Sequence, residues 1–172
     1  MKKNIILIGF SRAGKTTASR YISEKYGYHV IEISEFVYSN YKKSQGFRNA
    51  LEYANYCFET QGYSFFIQKI IDSLNIEEQL IFVGPRSFEE VQLIVDRFKE
   101  CVLVWINASY SIRKNRSKYD NNASLEERDR VEGTWGLDYL HKKCDYVIDN
   151  ESTKAHYFRE IDSLIESINY SD

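Results

Sequence analysis

One segment near the beginning of the chain carries the residue types and spacing of a phosphate-binding loop. The pattern G-x-x-x-x-G-K-[ST] is matched at every position by Gly9-Phe10-Ser11-Arg12-Ala13-Gly14-Lys15-Thr16. Its glycines let backbone N–H groups surround an anion, Lys15 is the residue type that reaches the β- and γ-phosphates, and the Thr16 hydroxyl is a ligand for Mg²⁺. The pattern therefore predicts binding of a nucleoside triphosphate together with Mg²⁺.

The segments on either side of this loop have the properties needed to position it. An apolar run, Ile5–Ile8, predicts a buried strand, and the segment Thr17–Tyr26 predicts a helix that ends at Gly27. A strand that leads through the loop into a helix aims the helix N-terminus, with its positive dipole end, at a bound phosphate. We therefore expect the triphosphate to be contacted by Gly9, Ser11, Arg12, Ala13, Gly14, Lys15, Thr16 and Thr17.

Short apolar runs recur along the rest of the chain and alternate with helix-like segments. Including the first, there are five: Ile5–Ile8, His29–Ile33, Leu80–Val83, Val102–Ile106 and Tyr146–Ile148. This alternation predicts a parallel sheet covered by helices on both faces, and such sheets bind ligands at the carboxyl ends of their strands. Capping-box sequences begin at Ser87 and Ser124, which predicts one helix start after the third strand and another before the fifth.

The size and charge of the chain exclude several classes of protein. Its 172 residues, 43% of them hydrophobic, are enough for one domain with a substantial core. A net charge of −2 gives no electrostatic basis for binding nucleic acid or a membrane, and no segment approaches membrane-spanning length. The three cysteines, Cys57, Cys101 and Cys144, have neither metal-ligand spacing nor a disulfide framework, so a reducing, cytoplasmic environment is expected.

The order of motifs along nearly the whole chain resembles that of the P-loop kinases, in the group of nucleoside monophosphate kinases and dephospho-CoA kinases. The resemblance is carried by the loop Gly9–Thr16, by Ile31–Phe36, by Gly84–Ser87 with the acidic helix after it, by Asn107–Ser109 with Arg113 and Arg116, by Glu127–Arg130, and by Cys144–Asn150. It implies an α/β fold of the P-loop NTPase type. That fold is a three-layer α/β/α sandwich around a five-stranded parallel sheet, with a helical acceptor-binding insert and a short lid.

The resemblance also implies a lid whose arginines clamp the phosphates, here in residues 113–130. Transfer of a phosphoryl group depends mainly on positioning and on cationic stabilisation of the transition state, which explains why a lid would carry arginines. Arg113 is assigned to the nucleotide and Arg130 to the acceptor. The residues assigned to catalysis are Lys15, Glu35, Arg86, Arg116 and Arg128. Arg113 and Arg116 share one helix face, whereas Arg128 and Arg130, two residues apart, cannot both face the same way.

The resemblance places the phosphoryl acceptor in the segment 36–74 and beyond the third strand. Arg86 matches an arginine that binds the acceptor's phosphate. Glu35 matches an acid that aids Mg²⁺ or takes the acceptor's proton, with Glu32 as the alternative. Tyr38 is available for stacking on the acceptor, and Arg48 is a second candidate ligand for its phosphate.

Two positions depart from the pattern of this group. Val83 stands where relatives carry an aspartate that orders Mg²⁺, and Tyr38 stands where they carry an arginine. The sequence favours an ATP- and Mg²⁺-dependent kinase acting on a nucleotide-like acceptor, most simply a nucleoside or deoxynucleoside monophosphate, in a monomer or homodimer. A dephospho-CoA kinase-like activity and a non-catalytic ATP-binding sensor or regulatory module are the alternatives.

Overall fold

The computed structural model describes residues 3–74, 79–116 and 124–170. Within these ranges, five strands form one sheet: β1 (Asn4–Ile8), β2 (His29–Glu32), β3 (Leu80–Val83), β4 (Cys101–Asn107) and β5 (Tyr146–Asp149). The strand order is β2-β3-β1-β4-β5, and every neighbouring pair is parallel. The five predicted strands are therefore confirmed.

The second strand ends one residue earlier than the apolar pattern predicted. Glu32 is the last residue of β2, and Ile33 is the first residue of the next helix, so the expectation that Ile33 lies in the strand is wrong. The ladder between β2 and β3 stops where Glu32 pairs with Val83, the last residue of β3. An apolar residue that begins a buried helix cannot be distinguished by polarity from one that ends a buried strand.

Helices connect the strands in the order expected of a doubly wound sheet. Those described are α1 (Lys15–Tyr26), α2 (Ile33–Tyr41), α3 (Ala50–Gln61), α4 (Phe65–Ser73), α5 (Phe88–Phe98), α6 (Tyr110–Arg116), α7 (Leu125–Thr134), α8 (Leu137–His141) and α9 (Lys154–Tyr170). Both predicted helix starts have a serine N-cap, because the hydroxyls of Ser87 and Ser124 accept hydrogen bonds from the backbone N–H groups of Glu90 and Glu127, each at 3.1 Å. Gly27 ends α1, as predicted, and its backbone there is left-handed.

The core lies in two layers on the two faces of the sheet. Alternate residues of β1 supply both layers: Ile5 and Leu7 pack with α1 and α9, whereas Ile6 and Ile8 pack with α4, α5 and α8. All four side chains are fully buried. A central parallel strand with apolar residues on both faces is what a sheet covered on both sides requires. The predicted three-layer α/β/α sandwich is confirmed.

A third, smaller apolar cluster lies in the helices between β2 and β3. It consists of Leu51, Ala54, Cys57, Phe58, Phe66 and Trp135, the last contributed by the residue that follows α7. These helices correspond to the predicted insert at 36–74. The segment 113–130, which was predicted to be a lid, contains the second half of α6 and the first part of α7, and its residues 117–123 lie outside the described residues. Within the described ranges, no helix has the length and apolar character needed to cross a membrane.

Candidate functional site

A cavity of about 930 Å³ opens at the carboxyl ends of β1, β2 and β3. Its walls come from the phosphate-binding loop, the first turn of α2, the helix α3, the segment that joins β3 to α5, the helix α7 and the segment that follows β5. Parallel α/β sheets bind ligands at this edge, because the loops that leave the strands converge there. Of the residues predicted to contact the triphosphate, Ser11, Arg12, Gly14, Lys15, Thr16 and Thr17 line the cavity.

The backbone of the loop is held by close contacts with β4, with the residue that follows β5, and with α9. A Cβ atom added to Gly9 would lie 2.5 Å from the carbonyl oxygen of Ile106, and Gly9 has a φ of +145° that side-chain-bearing residues rarely adopt. The Ala13 carbonyl accepts a hydrogen bond of 2.7 Å from the side-chain amide of Asn150, and the Gly14 carbonyl accepts one of 3.1 Å from the Tyr157 hydroxyl. Asn150 and Tyr157 were not singled out from the sequence.

Gly9→Ala is expected to destabilise the fold by about 1–3 kcal/mol, because it combines backbone strain with a clash against backbone that cannot rotate away. Urea unfolding followed by tryptophan fluorescence measures this loss. Gly133→Ala is the matched control, since Gly133 lies within helix α7 and a Cβ atom there meets nothing within 4 Å. Equal effects of the two substitutions would contradict the assigned role of Gly9.

Lys15 is buried at the bottom of the loop. Its ammonium group donates hydrogen bonds of 2.7 Å to the carbonyl of Gly9 and 2.9 Å to that of Phe10. Burial, and then the positive charge of Arg86, lower the pKa of Lys15 to about 7, although the carboxylates of Glu132 and Glu32 act in the opposite direction. A buried cation with a lowered pKa gains strongly from a neighbouring anion, so this position suits a phosphate.

The hydroxyl of Thr16 and the carboxylate of Glu32 form a polar pair at the end of β2. Thr16 Oγ1 donates to Glu32 Oε1 at 2.8 Å, and the Ser34 hydroxyl donates to Glu32 Oε2 at 3.1 Å. Mg²⁺ in nucleotide sites commonly takes one or two protein oxygen ligands, with waters and phosphates completing its shell. Thr16 and Glu32 therefore fit a Mg²⁺ ion.

Glu32 also supplies a carboxylate near the end of β3, where Val83 stands in place of the expected aspartate. Glu32 and Val83 are register partners on neighbouring parallel strands, so Glu32 places a carboxylate beside the position where an aspartate was expected. The sequence favoured Glu35 over Glu32 for the role near Mg²⁺, but Glu32 is the residue that contacts Thr16. Glu35 lies in the first turn of α2 and lines the same cavity.

A buried ion pair joins the segment after β3 to α7. Arg86 Nη1 lies 2.8 Å from Glu132 Oε2, and only 2% of the Glu132 side chain is exposed. The Ser11 hydroxyl donates to Glu132 Oε1 at 2.8 Å, which connects the pair to the phosphate-binding loop. Glu132 was not among the site residues predicted from the sequence. The available signal was its spacing of four residues from Arg128, which puts both on one face of α7, and both line the cavity.

Glu90 is a second buried carboxylate that was not predicted from the sequence to be a site residue. Glu90 is fully buried and lines the cavity. Its Oε2 accepts a hydrogen bond of 2.6 Å from the backbone N–H of Arg86. Its Oε1 is buried and has no hydrogen-bond partner within the described part of the chain. Burial raises the pKa of Glu90 to about 7, against the lowering effect of the Arg86 N–H group and charge.

Binding of Mg·ATP at about pH 8 is expected to take up about one proton per site, because the triphosphate raises the pKa of Lys15 from about 7 to well above the pH. Titration calorimetry in buffers with different ionisation enthalpies measures this uptake. A Glu90→Gln variant should retain it, whereas Lys15→Arg, which keeps the charge but does not titrate, should abolish it. Unchanged uptake in Lys15→Arg would contradict the assignment.

The two arginines of α6 both contact the phosphate-binding loop. Arg113 is buried and forms a bidentate ion pair with Asp129, with distances of 2.8 and 2.7 Å, and donates to the Ser11 carbonyl at 3.3 Å. Arg116 donates to the carbonyls of Arg12 and Ala13, both at 3.1 Å, and lines the cavity. Arg113 does not line the cavity. Its contacts indicate that it positions the loop.

The remaining predicted arginines divide into two groups. Arg128 lines the cavity, whereas Arg130, two residues later on α7, is exposed and does not, in agreement with the expectation that they cannot face the same way. Arg48 pairs at the surface with Glu52, through 3.2 Å between Arg48 Nε and Glu52 Oε2, and does not line the cavity. Tyr38 lines the cavity with 44% of its surface exposed.

Comparisons with known sequences find relatives that carry the description "UPF0200 protein". The chain is 32% identical to one from Thermococcus sibiricus over 111 residues, which are 59% of this chain and 58% of that protein. It is 25% identical to one from Sulfurisphaera tokodaii over 177 residues, which cover 96% of this chain and 97% of that protein. No protein-family model matches the chain.

Solved structures of P-loop kinases share the fold over nearly the full length. A shikimate kinase from Acinetobacter baumannii, solved with shikimate, aligns with a TM-score of 0.63 and 19% identity, covering 99% of this chain and 96% of that one. A gluconokinase from Sinorhizobium meliloti aligns with a TM-score of 0.63 and 16% identity, covering 99% and 98%. The chain therefore has a P-loop kinase-like fold, and the narrower group of nucleoside monophosphate and dephospho-CoA kinases stays a prediction.

Proposed function

We propose that this protein is an ATP- and Mg²⁺-dependent phosphotransferase that acts on a small-molecule acceptor. One observation carries the proposal: the cavity that contains Lys15 and the Thr16–Glu32 pair is also lined by two further cations, Arg116 and Arg128. Cations placed around a transferring phosphoryl group are the main catalytic requirement of this reaction. Residues 36–74 would bind the acceptor, and residues 113–130 would close over the nucleotide, within a single domain.

The groups that line the cavity have separate roles in this reaction. The phosphate-binding loop and Lys15 bind the triphosphate, while Thr16 and Glu32 hold Mg²⁺, which when bound neutralises part of the phosphate charge. An acceptor oxygen forms a bond to the γ-phosphorus as the bond from that phosphorus to the β–γ bridging oxygen breaks. ADP leaves with the bridging oxygen, and the acceptor's proton passes to a carboxylate of the cavity, for which Glu35 is the candidate because Glu32 is assigned to Mg²⁺.

The position of Glu32 favours turnover over the alternative of a non-catalytic ATP-binding module. That alternative depended on Val83 and Tyr38, where residues expected in active relatives are replaced. Because Glu32 is the register partner of Val83 and contacts Thr16, a carboxylate is still available beside the metal ligand. A module that only binds ATP has no requirement for several arginines around the same cavity.

The acceptor named from the sequence was a nucleoside monophosphate, with dephospho-CoA as the alternative. Binding of an acceptor phosphate relied on Arg48 and Arg86. Arg48 pairs with Glu52 outside the cavity, and the charge of Arg86 is compensated by Glu132. These contacts favour an acceptor of another kind.

The direct test is ADP production from Mg·ATP against a panel of acceptors. The panel contains nucleoside monophosphates, dephospho-CoA, and alcohols without phosphate, and each is assayed with the wild-type protein and with Lys15→Met. We expect one class to stimulate ADP production in the wild-type protein alone. ATP binding without stimulation by any acceptor would support the non-catalytic module, and ADP production that needs no acceptor would indicate a hydrolase.

A further inference from the structure

One side of the cavity is apolar and aromatic. Its wall is formed by Leu51, Ala54, Phe58, Phe66 and Trp135, each no more than 7% exposed. The rings of Phe58 and Trp135 pack edge to face, with 4.9 Å between their centroids. The indole N–H of Trp135 donates to Asn55 Oδ1 at 3.0 Å, so it is satisfied without a ligand. Such a wall favours an apolar ring face of a ligand over a charged group.

The charges beside this wall do not suit a phosphate. Arg86 contacts both carboxylates here: its guanidinium pairs with Glu132 at 2.8 Å, and its backbone N–H donates to Glu90. A phosphate dianion placed here would compete with Glu132 for Arg86 and would meet two buried carboxyl groups. Such repulsion in a poorly solvated site strongly disfavours the binding of a ligand that carries a phosphate there.

Glu90 has one oxygen that the described part of the protein does not satisfy. Its Oε2 accepts from the Arg86 N–H group, but its Oε1 is buried without a hydrogen-bond partner there. Buried polar atoms in folded proteins nearly always have partners. Because Glu90 lines the cavity, its Oε1 is a candidate contact for a ligand bound there. A carboxylate oxygen accepts hydrogen bonds, and its partner must therefore be a donor such as a hydroxyl group.

We propose that the phosphoryl acceptor is an alcohol without a phosphate group, which places an apolar ring face on the Phe58–Trp135 wall and donates a hydrogen bond from a hydroxyl to Glu90. This inference rests on the proposed phosphotransferase function. It adds to that function the chemical class of the acceptor, and it makes Glu90 a residue that determines acceptor specificity.

The test measures binding, so that it does not depend on turnover. Ligand-observed NMR is recorded at about pH 8, where the Glu90 carboxyl is mostly ionised, with a non-hydrolysable Mg·ATP analogue present. The probes are matched pairs: nucleosides with their monophosphates, and cyclic alcohols with their phosphate esters. We expect ring-bearing alcohols to bind and their phosphate esters to bind at least about tenfold more weakly, since the esters leave a charge unpaired.

Glu90→Gln is the diagnostic variant, because the Arg86 N–H group requires an acceptor and the amide oxygen must take that place. The amide NH₂ then faces the cavity, where it opposes the ligand's hydroxyl donor, and we expect alcohol binding to weaken about tenfold. Glu89→Gln is the control, since Glu89 lies in the same first turn of α5 but is exposed. Analogue binding should be unchanged in both variants.

Two results would overturn the inference: phosphate esters that bind as well as the alcohols or better, or equal effects of Glu90→Gln and Glu89→Gln. Failure of every probe to bind would also overturn the assigned class. The phosphotransferase proposal fails separately, when alcohols bind at the wall but no acceptor stimulates ADP production.

Discussion

Replacing Lys15 by methionine is expected to lower kcat for phosphoryl transfer about a hundred- to a thousandfold, the usual effect of removing one group that stabilises transition-state charge. The ammonium group lies at the base of the loop that would hold the triphosphate, and its lowered pKa shows how poorly its charge is solvated there. The rate of ADP production at saturating Mg·ATP and acceptor measures this loss.

The same substitution should leave the protein at least as stable as before. The folded-state pKa of Lys15, about 7, lies below its ordinary value of 10.5, so between these values the unfolded chain binds more protons than the folded protein. The stability of the wild-type protein therefore rises with pH across this range, and Lys15→Met should remove that slope. Methionine retains the apolar stem and does not require a charge to be buried.

Thermal unfolding at several pH values, alongside the kinetic assay, separates the two effects. Lys69→Met is the matched control, since Lys69 is exposed on α4 and does not line the cavity. It should change neither the rate nor the pH dependence of stability. A Lys15→Met protein that retains most of its activity would contradict the assigned role of Lys15, whatever its stability.

Glu132→Ala is expected to destabilise the fold by about 3–5 kcal/mol, because it leaves the partly buried guanidinium of Arg86 without its counter-charge. It also removes the acceptor for the Ser11 hydroxyl, so the loss extends to the phosphate-binding loop. Urea unfolding, with tryptophan fluorescence as the signal, gives the change in the free energy of unfolding. An unchanged m-value would show that the unfolding transition remains the same.

The double variant Arg86→Met with Glu132→Met tests whether the loss comes from the unpaired charge. Replacing both members of a buried ion pair by apolar side chains is often close to neutral, so the double variant should recover much of the stability but not the activity. Glu126→Ala, which breaks the exposed pair with Lys114, should leave the free energy of unfolding nearly unchanged. If the free energy of unfolding of Glu132→Ala equalled that of Glu126→Ala, the stabilising role assigned to the Arg86–Glu132 pair would be wrong.

Features that depend on neighbours along the chain were predictable from the sequence. The loop Gly9–Thr16, the strand before it and the helix after it follow from residue types at fixed spacing. The serine caps at Ser87 and Ser124 and the left-handed Gly27 follow from local backbone geometry. The parallel sheet follows from the alternation of apolar runs with helices. Each of these inferences requires only that residues a few positions apart lie close together.

Partners distant in the sequence were decided by the tertiary structure. Ser11 and Glu132 are 121 residues apart, and no local pattern predicts their hydrogen bond. The contact of Thr16 with Glu32, rather than with Glu35, follows from where β2 ends against β3. Arginine is a residue type that binds phosphate, but Arg48 lies on the surface of the folded chain, where it pairs with Glu52.

The sequence by itself thus determined that a phosphate-binding loop lies at the edge of a parallel sheet, whereas only the tertiary structure decided which charges surround it. The physical reason is that hydrogen-bond spacing and backbone conformation are set over a few residues. Burial and ion pairing instead depend on which distant segments meet. Glu90 shows the difference: the sequence identified it as part of a helix start, and only its burial beside Arg86 made it a candidate ligand contact.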